Sequence, residues 1–111
     1  MLDGCATHPD RRLVPRTETT VRVEALDGGA YLIAHDLGTG GMLVTTRDAR
    51  WPGQLVRVRF RVPGDERAIH ATCRVVDVAE VPRGIGLALQ FVGLADEARE
   101  ILRRFVKECA A

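Results

Sequence analysis

Between Thr19 and Phe91 the apolar residues of this chain recur at every second position in several short runs bounded by turn residues, and beyond Gly93 they recur at every third or fourth. A period of two places successive side chains on opposite faces of a strand, whereas three-four spacing lines one face of a helix. The chain is thereby constrained to a run of half-buried strands followed by one amphipathic helix. The pattern is cleanest at Val56, Val58, Phe60 and Val62, which face one way while Arg57, Arg59 and Arg61 face the other. Val21, Val23 and Ala25 alternate with Arg22 and Glu24 in a first strand, which ends at the hairpin signal Asp27-Gly28-Gly29. A second strand runs from about Ala30 to His35 and a third from Met42 to Thr46. The turn Pro63-Gly64-Asp65-Glu66 leads into a fifth strand, with Ile69, Ala71, Cys73 and Val75 inward and His70, Thr72 and Arg74 outward. Its alternation slips at Val75-Val76, which predicts a bulge or a change of face. Pro82-Arg83-Gly84 turns into a sixth strand, where Ile85, Leu87, Leu89 and Phe91 alternate with Gly86, Ala88 and Gln90.

Ala98, Ile101, Leu102, Phe105, Val106 and Cys109 form the apolar stripe of the closing helix. Asp96 and Glu97 at its start and Lys107 near its end suit the helix dipole. Six short strands, tight turns and one helix predict an all-β-dominated domain: a six-stranded antiparallel β-barrel with a C-terminal α-helix over its open side or end. A chain of 111 residues can bury such a core without metals or disulfides. Residues 1–10 show no periodicity and read as a flexible N-terminal arm, leaving 11–111 as the domain. Sixteen Lys plus Arg stand against 15 Asp plus Glu, so bulk charge does not drive polyanion binding. Cys5, Cys73 and Cys109 are odd in number and lack Cys-x-x-Cys spacing, which argues against a zinc site or a disulfide framework and for a reducing cytoplasm. No apolar run suits a secretory signal or a membrane span, so the expectation is a cytoplasmic protein without membrane insertion, monomeric or weakly dimeric.

Two local features stand apart from the strand pattern. The segment Arg11-Arg12-Leu13-Val14-Pro15-Arg16 is basic, broken by proline, and contains Arg-x-x-x-Arg at Arg12 and Arg16. About twenty residues later comes Asp36-Leu37-Gly38-Thr39-Gly40-Gly41, a glycine-dense turn that permits positive φ and lets a ligand or a second strand approach the backbone. In this order the chain resembles the PilZ domain family, whose signature is Arg-x-x-x-Arg followed by Asp/Asn-x-Ser-x-x-Gly. The likeness extends to the Trp51-Pro52-Gly53 loop before a long strand, to Arg74-Val75-Val76, to Gly84-Ile85-Gly86-Leu87-Ala88-Leu89-Gln90-Phe91 and to the closing helix.

The resemblance implies a barrel that binds cyclic di-GMP, a bacterial second messenger, and acts as a receptor or adaptor on a downstream protein partner, with no catalysis and no cofactor. By position, Arg12 and Arg16 would hold guanine edges and phosphate, with Arg11 as a third contact. An arginine fork suits both groups. Asp36 would accept from guanine N–H groups, and Gly41 would keep the turn open for a base. Gly38 departs from the family pattern, because it stands where a serine is expected. A missing hydroxyl hydrogen bond costs about 0.5–1.5 kcal/mol, a threefold to roughly tenfold loss of affinity. The alternative is a PilZ-like module whose altered signature no longer serves the nucleotide and whose surface binds another protein.

The remaining candidates have plainer readings. The Arg57, Arg59, Arg61 stripe lacks the interleaved aromatics of a single-strand nucleic-acid path and reads as a solvated face salt-bridged to neighbours such as Glu24. His35, beside Asp36, has no nucleophile or metal ligand at useful spacing and reads as a structural or ligand-rim histidine. Cys73 packs as a small hydrophobe, and Trp51, the single tryptophan, caps the barrel.

Overall fold

A computed structural model describes residues 16–110 as six strands and one helix: β1 (Arg16–Ala25), β2 (Leu32–Gly38), β3 (Gly41–Thr46), β4 (Leu55–Phe60), β5 (Ile69–Val81), β6 (Gly84–Leu94) and α1 (Asp96–Ala110). The expected arm, residues 1–10, lies outside the described residues, as do Arg11 and Arg12. All neighbouring strands are antiparallel, and they close in the order β1-β2-β3-β6-β5-β4. Alternation decides which side chains enter the barrel. Val56, Val58 and Phe60 of β4 are buried while Arg57 and Arg59 are exposed, and β5 buries Ile69, Ala71, Cys73 and Val75. The expected slip at Val75-Val76 is a register shift between Val75 and Asp77 opposite Leu89 and Ala88, which leaves Val76 exposed. An extra residue of this kind bends a strand and lets a short sheet curl into closure.

The two mouths of the barrel are filled differently. At one, α1 packs against β1 and β2 and buries Ala98, Ile101, Leu102, Phe105 and Val106. Removing Ile101, Leu102 or Phe105 from water contributes about 1.5–3 kcal/mol each. At the other, residues 47–54 must traverse the opening, because β3 lies between β2 and β6 whereas β4 lies between β1 and β5. Arg50 sits within this crossing and is only 6% exposed. Its Nη1 donates to Asp27 Oδ2 at 2.7 Å and its Nη2 to Asp27 Oδ1 at 3.2 Å, a fork on the β1–β2 turn. Asp48 adds a second tie, accepting from the Ala30 amide at 2.6 Å. A Cβ at Gly29 would lie 2.6 Å from Asp48 Oδ2 and 2.7 Å from Arg50 Nη2, so glycine there makes room for the ion pair. The hydrogen bonds from Arg50 hold the Asp27 carboxyl below its ordinary value of 3.8, and Asp27 in turn raises Arg50.

Two sequence expectations change here. Trp51 does not cap the barrel: it is 67% exposed. Its neighbour Arg50 takes the inward position, and a tight turn, with Gln54 N donating to Trp51 O at 3.1 Å and Gly53 at φ 92°, carries residue 51 outward. The segment Asp36–Gly41 is mostly strand, because β2 runs through Gly38 and β3 begins at Gly41. Among the described residues the left-handed glycines are Gly28, Gly53, Gly64 and Gly84, none of them in this segment. Close approach is what Gly41 serves: a Cβ there would stand 2.1 Å from the Leu89 carbonyl oxygen, on the backbone of β6.

Gly41→Ala is therefore expected to destabilise the barrel by about 1–3 kcal/mol in urea unfolding, since two backbones must part to admit the methyl group. An unchanged midpoint would show that β3 and β6 separate freely. Arg50→Ala should cost about 1.5–3 kcal/mol through loss of hydrogen bonds to a carboxylate. A depressed carboxylate pKa contributes stability above the unfolded value near 3.8, and that contribution disappears as pH falls through the lower folded value. Asp65, held at about 2 by Arg67, titrates in the same window. Asp27→Asn should accordingly flatten part, not all, of the acid loss of stability; identical pH profiles for the two proteins would remove the Asp27 contribution.

Candidate functional site

Strand pairing brings the two sequence motifs together. In the β1–β2 ladder Arg16 lies opposite Gly38, Thr17 opposite Leu37 and Glu18 opposite Asp36. Arg16, the last residue of the Arg-x-x-x-Arg motif, thus pairs at the end of β2, two ladder positions from Asp36. The orientation of Asp36 depends on an irregularity. Leu32 and Ala34 are fully buried, and simple alternation would send residue 36 into the core after them. The β2–β3 register shifts between Ala34 and Asp36, so Leu37 becomes the buried residue at 0% exposure and Asp36 is half-buried with the opposite parity. Gly38 follows at the end of β2 and is buried.

Beside Asp36 lies a shallow groove of about 280 Å³ on the outside of β2, β3, β5 and β6. Leu43 pairs with Ala88 and Thr45 with Gly86, so small residues of β6 form part of its floor. His35 stands at its rim, with Nε2 2.8 Å from Thr45 Oγ1. The rim position fits the structural or ligand-rim reading of this histidine. Arg11 and Arg12 lie outside the described residues; Arg16 pairs with Gly38 at the end of β2, Asp36 lies two ladder positions away, and Gly41 begins β3 at the same end. Among the described residues no cluster of His, Cys, Asp or Glu could hold a metal ion.

The other sequence candidates fall where elementary chemistry places them. Arg59 Nη2 meets Glu24 Oε1 at 2.7 Å on the solvated face of β1 and β4, and Arg61 Nε donates to the Glu66 carbonyl. Cys73 is fully buried, and burial pushes its thiol up to about 12, as suits a small hydrophobe. Sequence reasoning missed the Arg50–Asp27 fork, which spans 23 residues and leaves no periodic trace. It also missed a run of exposed apolar groups, Trp51, Leu55 and Val76. The one available signal was Pro52-Gly53, which places Trp51 on a turn.

The fold is a small closed six-stranded antiparallel β-barrel with one C-terminal helix, in which the start of β1 pairs with the end of β2. The family model described as PilZ domain matches residues 10–108, and the chain belongs to the PilZ family. PilZ proteins are effectors, not enzymes. No curated protein matches the sequence. Among solved structures, the inhibitor of motility MotI/DgrA of Bacillus subtilis superposes with a TM-score of 0.79 at 20% identity, over 88% of this chain and 50% of that one. The PilZ domain of YcgR from Escherichia coli, solved with c-di-GMP, gives 0.68 at 15% identity over 90% and 92%. YcgR from Escherichia coli in complex with c-di-GMP gives 0.70 at 16% identity over 88% and 45%. The chain spans about half the length of MotI and of that YcgR chain. Among the described residues no helix is long and apolar enough to cross a membrane.

The exposed tryptophan has a direct readout. Iodide should quench Trp51 emission in the native protein nearly as well as in the urea-unfolded chain. Strong native protection would return Trp51 to the barrel cap.

Proposed function

We propose that this chain binds cyclic di-GMP through Arg12, Arg16 and Asp36, with Arg11 as a further contact, and relays binding to a protein partner. One observation carries the reading: the β1–β2 register sets Arg16 beside Gly38, and the bulge before Asp36 turns that carboxylate away from the core. On this reading Arg16 would offer a cationic fork to phosphate or a guanine edge, two ladder positions from Asp36 as an acceptor for guanine N–H groups. The Escherichia coli YcgR PilZ domain, solved with c-di-GMP, has the same fold over 90% of this chain, which supports the choice of ligand. The messenger is made inside bacteria, so the proposal places the protein in a bacterial cytoplasm. Binding would draw the Arg11–Arg12 segment against the barrel and present a surface that differs between the two states, which is how a ligand shifts a partner equilibrium.

A second reading has its own observation. Gly38 is buried in β2 and supplies no hydroxyl where the family pattern has serine, which favours a PilZ-like interaction module that does not take the nucleotide. Calorimetric titration with cyclic di-GMP decides between the two. The first reading expects saturable binding, weakened roughly tenfold to a hundredfold by Arg16→Ala, the loss of a charge-assisted contact of about 1.5–3 kcal/mol. Arg59→Ala, on the far side of β1, should leave affinity within about twofold, as exposed ion pairs contribute little. Equal losses at Arg16 and Arg59 would reduce the effect to general anion attraction. Silence from the natural protein together with binding by Gly38→Ser would establish the second reading.

A further inference from the structure

The chain carries almost balanced charge, 16 Lys plus Arg against 15 Asp plus Glu, yet the outer face of β1, β4 and β5 is sorted. Cross-strand pairing sets Glu24 opposite Arg59, Arg59 opposite His70, Arg57 opposite Thr72 and Leu55 opposite Arg74. Arg22 of β1 and Arg61 just beyond β4 extend the same surface. Glu24 is the carboxylate within these pairs, and Arg59 already holds it at 2.7 Å. Arg57 and Arg74 have no carboxylate partner among the described residues, and both are exposed. Leu55, 55% exposed, lies directly opposite Arg74 and two residues along β4 from Arg57.

An apolar cluster ends the arginine row. Gly53 N donates to Val75 O at 2.6 Å and Val75 N to Gln54 O at 2.9 Å, which ties the Trp51 turn to the β5 bulge. Trp51, Leu55 and Val76 therefore stand exposed around one corner of the barrel, and grooves of about 440 and 330 Å³ run along the two sides of β4. Tryptophan and arginine next to one another are the residue types that dominate binding energy at protein interfaces.

We propose that this face docks an acidic segment of a partner protein, its carboxylates on Arg57 and Arg74 and an apolar side chain on Trp51 and Leu55. Unpaired guanidinium forks match carboxylates two at a time, and the apolar corner sets where along the row the segment seats. A nucleic acid fits less well. The Tyr31 ring is already covered by the Arg22 guanidinium, 3.6 Å from its centroid, so Trp51 stands without a second stacking platform. The proposal does not rest on the nucleotide reading, because β4 and β5 lie across the barrel from β2 and β3.

The test uses the full chain without nucleotide. The probe is a short fluorescein-labelled peptide of glutamates with one leucine and one phenylalanine, and the sole tryptophan serves as the protein-side reporter. Saturable peptide anisotropy with a concurrent blue shift of Trp51 emission is the expected result. The double variant Arg57→Glu, Arg74→Glu should weaken binding at least roughly tenfold, the loss of two charge-assisted contacts. Trp51→Ala should weaken it severalfold by anisotropy, and the melting temperatures of both variants should match the natural protein because every altered side chain is exposed. Three results would overturn the proposal: no binding at millimolar peptide, equal binding of an all-glutamate peptide, or stronger binding of a single-stranded oligonucleotide of the same length. Cyclic di-GMP titration reads the other site, so loss of one activity leaves the other measurable.

Discussion

A six-stranded sheet that closes on itself must give every side chain a place inside or outside a narrow barrel, and the rest of this molecule follows from that closure. Strand alternation supplies the sorting, while bulges supply the curvature and reset the phase. The register shift between Ala34 and Asp36 does both at once. It lets β2 bend between β1 and β3, and it exchanges a carboxylate for Leu37 at the core position. A buried unpaired carboxylate would be costly enough to threaten the fold. The feature that turns Asp36 outward is thus also what makes Asp36 tolerable in β2.

Closure also leaves two mouths, and their plugs differ in chemistry. The helix covers one with a continuous apolar stripe, a non-directional contact that needs only hydrophobic area. The 47–54 crossing covers the other with an arginine, which requires a placed carboxylate. Asp27 and the space left by Gly29 provide it. Because Arg50 occupies the inward position, Trp51 is sent outward, and an aromatic that would otherwise add to the core becomes surface. An inward arginine at one position thereby creates an exposed apolar corner at the next.

The barrel then carries two unlike faces. Toward β2 and β3 it presents the strand end where Arg16 pairs with Gly38, two ladder positions from Asp36, and a shallow groove floored by Gly86 and Ala88. Toward β4 and β5 it presents arginines whose spacing is set by the two-residue repeat of the strand. Both sets are held by the same hydrogen-bonded ladders. One core thus supports two chemically different faces.

Much of this was legible in the chain itself. Periodicity alone placed six strands and a helix, named nearly all of the core, and marked the bulge at Val75-Val76, because each rests on side-chain order within a few residues. The paired motifs at Arg12–Arg16 and Asp36–Gly41 pointed to one site, and the ladder places Arg16 and Asp36 near one another. Tertiary structure decided what depends on residues distant in sequence. That Gly41 is required by the Leu89 carbonyl, that Arg50 reaches Asp27, and that Trp51 faces water each turn on a contact made only when the sheet closes. Local pattern records which face a side chain prefers; closure determines what stands opposite it.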